Sequence, residues 1–188
     1  LEMPIRQKQD QVNRAQEHMD FLKNKFDNVE CLRVDLTPTF DVFQKTVDVS
    51  DADFPSEQLA LANTRSRIRM LTLYYYGQLH GLLVTGTGNK VEDFGVGFFT
   101  KYGDGGVDIS PIADLYKTEV YRLAKDLNLI ESIQNAIPTD GLWDVERTDE
   151  EQIGATYPEL EWAMEQDQTL LPEDFTGRQK EVFRIYQR

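Results

Sequence analysis

The sequence predicts an α/β fold in which helices cover both faces of a parallel sheet. Three observations carry this expectation. Short apolar runs of strand character alternate with amphipathic stretches of helical period. The links between them are short, as in a parallel sheet with crossover connections. An apolar run at residues 82–85 (LLVT) ends abruptly in a glycine-rich, charged loop, the place where open α/β sheets put their sites.

Residues 1–4 (LEMP) read as the tail of a strand. Across residues 7–26, Val12, Ala15, Met19, Leu22 and Phe26 recur at helical spacing and leave a polar outer face. Residues 31–36 (CLRVDL) alternate as a strand does, and Pro38 ends them. Residues 37–55 read as a loop with a short helix near residues 40–45. Pro55, Ser56 and Glu57 then mark a helix start with Ser56 as N-cap, and the helix runs to Tyr76 and stops at Gly77. Residues 82–85 form the next strand and residues 115–127 another amphipathic helix. From Asp144 the chain is acidic and irregular until a helical pattern returns at about Gly177. There is no internal repeat and no low-complexity segment, and 188 residues suit one domain with a substantial core.

The charge balance narrows the function. With 33 acidic and 20 basic side chains the formal charge is −13. That argues against a broad basic face for nucleic acid or acidic membrane. No apolar run approaches a membrane span, nothing reads as a signal peptide, and Cys31 is the single cysteine, so a cytoplasmic location is expected.

Seven of the twelve glycines fall between Gly86 and Gly106, interleaved with Thr, Lys, Asp and Glu. Such a run lets backbone approach a ligand closely and suits a nucleotide site. Within it Thr87, between two glycines, reads as a turn residue or as a hydroxyl facing an adenine nucleotide. Glu92 and Asp93 complement a helix dipole or ligate Mg. Lys101, Asp104 and Asp108 form either a mobile polar loop or an anchored one with a projecting cation. Lys117 stands at a helix start, where the dipole disfavours a cation and an anionic partner is expected. Of three arginines on the long helix, Arg65 and Arg69 share a face read as solvated. Arg67 lies nearly opposite and is expected to grip phosphate or carboxylate. Thr139 reads in isolation as a turn residue, and His18 and His80 as structural.

Together, GTGNK (residues 86–90), FFTKYGDGGVD (98–108), SPIADLYKT (110–118), IPTDGLW (137–143) and TDEEQIGATYPELE (148–161) resemble the bacterial NAD synthetases, N-type ATP pyrophosphatases. The resemblance covers essentially the whole chain. It implies a Rossmann-like sheet of the adenine nucleotide alpha hydrolase type and a homodimer; the apolar helical run LTLYYY (71–76) reads either as core packing or as part of that interface. It implies an ammonia-dependent ligase: the carboxylate of deamido-NAD attacks ATP to form an adenylate, pyrophosphate leaves, and ammonia displaces AMP. By motif position, Thr87, Lys117 and Thr139 would contact ATP, Arg67, Lys101 and Asp108 would contact deamido-NAD, and Glu92 would bind Mg. One extra residue between GTGNK and FFTK, relative to some members, keeps Asp93 as a rival for Glu92.

Two family segments are absent: the SGG-and-DS phosphate loop and a C-terminal His-Lys pair. The resemblance therefore implies a single synthetase domain incomplete at both ends, with residues 1–188 alone not competent for turnover. A glutamine-dependent synthetase, or a nucleotide-binding module without catalysis, are the other readings.

Overall fold

The computed structural model describes residues 1–47, 53–145 and 147–188. Its first helices are α1 (Gln9–Lys25), α2 (Thr37–Thr46) and α3 (Phe54–His80). A π-helical turn, Lys90–Val96, leads towards α4 (Lys117–Asp126) and the short α5 (Glu131–Gln134). Three more helices, α6 (Asp149–Ile153), α7 (Tyr157–Met164) and α8 (Gly177–Tyr186), complete the order.

Local chemistry sets several boundaries. Pro38 lies in the first turn of α2, where its fixed φ and missing N–H are tolerated, so it opens a helix as well as ending the extended run. The cap of α3 is Asp53, not Ser56: its carboxylate accepts the Ser56 N–H at 3.0 Å. The helix also continues through Gly77 to His80 before closing at Gly81. The region from Asp144, expected to be irregular, holds α6 and α7. Each starts with a threonine N-cap and a glutamate three residues on, the reciprocal arrangement that satisfies orphan N–H groups.

The expected sheet is represented by two parallel bridges, Glu2 with Arg33 and Thr85 with Ile109. In the first pair Glu2 N–H donates to Leu32 O and Val34 N–H to Glu2 O, both at 2.8 Å. In the second, Asp108 N–H donates to Val84 O at 2.9 Å and Gly86 N–H to Ile109 O at 2.7 Å. Neither pair lengthens into a ladder among the described residues. Each pairing is only a few residues long, and of the apolar run only Val84 is buried, while Leu82 and Leu83 are 65% and 68% exposed.

Two separate cores form. One gathers Ile5, Leu36, Phe40 and Leu61 beneath α2 and α3. The other gathers Val91, Ala155, Tyr157, Leu160, Ala163, Val182 and Phe183 between the π-turn, α7 and α8. The rings of His18 and His80 stack on Phe21 and Tyr76.

Candidate functional site

The GTGNK turn delivers the chain into the second core through Asn89. This side chain, 1% exposed, caps the π-turn by accepting from Val91 N at 2.9 Å and Glu92 N at 3.1 Å. Glu92 reaches back to Asn89 N, so its carboxylate is directed by the cap. Its Oε1 accepts from Lys117 Nζ at 2.8 Å and from the Tyr157 hydroxyl at 2.7 Å. Burial pushes the Glu92 carboxyl up, but the Lys117 charge and the bonds from Lys117, Tyr157 and Asn89 outweigh it and hold it below its usual value. The anionic partner expected for Lys117 is thus Glu92.

Lys117 is fixed from two sides. Its ammonium lies 4.7 Å from the centre of the Tyr157 ring. The next residue, Thr118, bonds Glu161 of α7 through both its N–H, at 2.9 Å, and its hydroxyl, at 2.7 Å. Tyr157 also donates towards Asp149, 3.0 Å away. Burial first, then Glu92 and Asp149, drive the phenol well above its ordinary range. Asp149 is itself raised, chiefly by burial, and its Oδ1 is buried without a partner. Asp93 faces elsewhere. Its carboxylate packs on Gly88, where any Cβ would overlap it, and burial followed by Glu92 and Asp104 raises its pKa.

A second group of expected site residues lies along α3. Thr100 donates to Asn63 at 2.8 Å, Ser66 to Asp104 at 2.6 Å, and Arg67 Nε to the Lys101 carbonyl at 3.1 Å. Tyr74, two turns further along, donates to Asp108 at 3.2 Å, and Asp108 also accepts from Val84 N at 2.8 Å. The glycine-rich loop is therefore anchored to one helix. Gly103 makes this possible, because a side chain there would run into Ser66. Arg67 and Lys101 remain exposed at the surface of this arrangement.

A cleft of about 650 Å³ unites Lys117, Thr139, Asp140 and Tyr121 with Gln7 and Arg69. Of the three residues expected at ATP, Lys117 and Thr139 line it, whereas Thr87 is exposed and does not. The Thr139 hydroxyl is bound to Arg147 O at 2.8 Å.

Two arginine expectations are corrected. Arg65 is 3% exposed, not solvated: it bonds the Leu142 carbonyl and Asp144 and lies 4.7 Å from the Phe40 ring centre. Arg69 is partly buried and bonds Met3 O and Gln7, both at 3.0 Å. The face they share packs against the 140–144 turn and the first residues of the chain, partners that lie far away in sequence. Tyr157 and Asp149 were not singled out either, although the capping boxes around them were readable.

An acidic chain thus concentrates cations and a clamped carboxylate around a glycine-rich turn and a cleft, the layout of a site for an anionic ligand. The chain belongs to the NAD synthase family, whose model matches residues 1–187. It is 44% identical over 128 residues to the NH(3)-dependent NAD(+) synthetase of Thermoplasma acidophilum, covering 68% of this chain and 50% of that protein. Among solved structures it resembles NMN synthetase from Francisella tularensis with a TM-score of 0.77 and 30% identity, over 97% of this chain and 69% of that one. It also resembles the NH3-dependent NAD synthetase from Campylobacter jejuni, solved with nitrate, with a TM-score of 0.67 and 26% identity, over 98% and 69%. The chain has the fold of these synthetases. It spans about half the length of the curated relatives it matches.

Proposed function

We propose that this domain serves the ATP-dependent amidation of deamido-NAD with ammonia, through an adenylate and with release of AMP and pyrophosphate. The observation that carries the reading is the Lys117–Glu92 pair beside the cleft, set in a chain that matches the NAD synthase family over residues 1–187. The chemistry asks for cations. A carboxylate must meet a polyphosphate, and fixed positive groups offset their repulsion.

In this reading Thr87, Lys117 and Thr139 contact ATP, and Arg67, Lys101 and Asp108 contact deamido-NAD. Lys117 is held poised by Glu92 and exchanges that partner for phosphate oxygens. Glu92 is the Mg ligand, with Asp93 as its rival. The fit is that of a metal carried by its nucleotide. Among the described residues Glu92 Oε2 has only the long 3.3 Å contact from Asn89, which leaves it free to accept a cation. No cluster of three acidic, His or Cys groups among the described residues could hold a metal unaided. Mg normally takes one or two carboxylates and completes its shell with phosphate and water. Bound there, it would neutralise phosphate charge.

The reading includes one synthetase domain in which the two parallel pairs belong to a Rossmann-like sheet. It also includes a homodimer and a cytoplasmic location, the last supported by the absence, among the described residues, of any helix long and apolar enough to cross a membrane. Leu71 and Tyr75, 66% and 62% exposed on α3, support the dimer.

The test is to supply the whole protein with ATP, Mg, deamido-NAD and ammonium, and to measure AMP and NAD together by chromatography. Equal formation of the two is expected; AMP without NAD, or neither product, would overturn the reading. The likeness to an NMN synthetase favours one second reading, amidation of the deamido form of NMN. Running the two acceptors in parallel at equal concentration ranks them by kcat/KM.

A further inference from the structure

Arg69 has a role that its hydrogen bonds leave unfinished. It lines the cleft together with Lys117, Thr139 and Asp140. Its Nε and one terminal nitrogen donate to Met3 O and Gln7 Oε1, and both acceptors are neutral. Among the described residues it forms no ion pair, unlike Arg65, which has Asp144, and Lys117, which has Glu92. Its other terminal nitrogen, Nη1, has no hydrogen bond among them and is not sealed in the interior. Burial, then the Arg65 charge, depress the guanidinium to about 10, with Asp140 acting the other way. A cation in such surroundings is disfavoured until an anion completes its shell.

The position of Arg69 is rigid. Gln7, which accepts from it, in turn donates to Gly141 O at 3.3 Å, so the guanidinium ties together the first extended segment and the turn that bears Thr139. A planar donor fork fixed on a helix suits a phosphate oxygen better than a flexible lysine does. Ile137 and Pro138 supply an apolar wall of the same cleft, suited to a base.

We propose that Arg69 is an anion-binding group of the cleft, donating from Nη1 to a phosphate oxygen of the nucleotide that Lys117 and Thr139 hold. The proposal rests on the reading of this cleft as the ATP site.

The experiment titrates full-length wild type, R69Q, R69K and K117Q with ATP by calorimetry at two ionic strengths, and with adenosine by ligand-observed NMR. For R69Q a loss of about 10- to 100-fold in ATP affinity is expected, with a shallower salt dependence and unchanged adenosine binding. R69K, which keeps the charge but not the fork, is expected to recover part of the loss. Equal weakening of ATP and adenosine in R69Q would mean that Arg69 acts by holding Met3 and Gln7, and would overturn the proposal. Wild-type ATP binding in R69Q with weakened binding in K117Q would overturn it while leaving the nucleotide reading intact. Wild-type ATP binding in both variants would remove the two together.

Discussion

In the C-terminal core, Tyr157, Leu160, Ala163, Val182 and Phe183 come from two helices consecutive in the chain, α7 and α8. Aromatic rings carry the packing onward: Phe175 meets Trp162 at 5.3 Å and Phe183 at 4.8 Å between centroids. Beneath α3, by contrast, Ile5, Leu36 with Phe40, and Leu61 come from three separate stretches of sequence. There Phe40 is flanked by the guanidinium groups of Arg6 and Arg65 rather than by more apolar side chains. The first region draws mostly on one stretch of sequence, with Val91 of the π-turn added from afar. The second relies on long-range partners and leaves Leu82, Leu83 and Leu71 in contact with solvent. Glu92, Lys117 and Tyr157 stand where the glycine-rich turn enters the C-terminal core, so the clamp on Glu92 is built on that core, and the loop of Lys101 on α3.

Core truncation sharpens this contrast most. Phe183→Ala is expected to destabilise the protein by about 3–5 kcal/mol, and Leu61→Ala by about 2–3 kcal/mol, in urea unfolding. Equal losses, or a larger one for Leu61, would break the distinction between the two cores. Tyr157→Phe removes a hydroxyl shared by Glu92 and Asp149 and leaves Asp149 without the one side-chain partner it has among the described residues. The expected loss is about 1–3 kcal/mol, and a loss near zero would show that the clamp does not stabilise the C-terminal core.

A smaller effect is expected at the caps. Thr148→Ala, which deprives Glu151 N of its acceptor, should cost about 1 kcal/mol. Asp53→Ala, at the start of α3, gives the matching measurement in the other region. The smallest effect concerns pH. Hydrogen bonds from Arg178, partly opposed by burial, lower the Glu159 carboxyl to about 2. A carboxyl depressed on folding adds stability that is present above its unfolded value of 4.5 and is lost as pH falls through about 2. The Tm of wild type should therefore fall more between pH 5 and pH 2 than that of Glu159→Gln, and parallel curves would refute the linkage.

The same contrast governs how much was legible in the sequence. The period of α1 and the helix from Gly177 could be read because a helix face is written every three to four residues. The motif residues could be named, and the structure does bring Lys117 to Glu92 and Arg67 to the loop of Lys101. What could not be read depended on distant partners. Arg65 and Arg69 look solvated on a helical wheel because the Leu142 carbonyl, Asp144 and Gln7 that receive them lie some 60 to 80 residues away. Helices α6 and α7 were missed for another reason. They are too short to show a period, and their signature lay in Thr148 with Glu151 and Thr156 with Glu159. The sheet was legible as pattern, yet among the described residues it amounts to two bridges.

The π-helical turn has a consequence for how chain length can drift in this family. A wide turn holds one residue more than an α-turn between the same hydrogen-bonded ends, so a single inserted residue is taken up as girth and not as displacement. Asn89 anchors the entrance by accepting from Val91 and Glu92, and Gly97, whose N–H donates to Glu92 O, anchors the exit. Relatives that differ by one residue in this stretch can thus keep both flanking motifs in place.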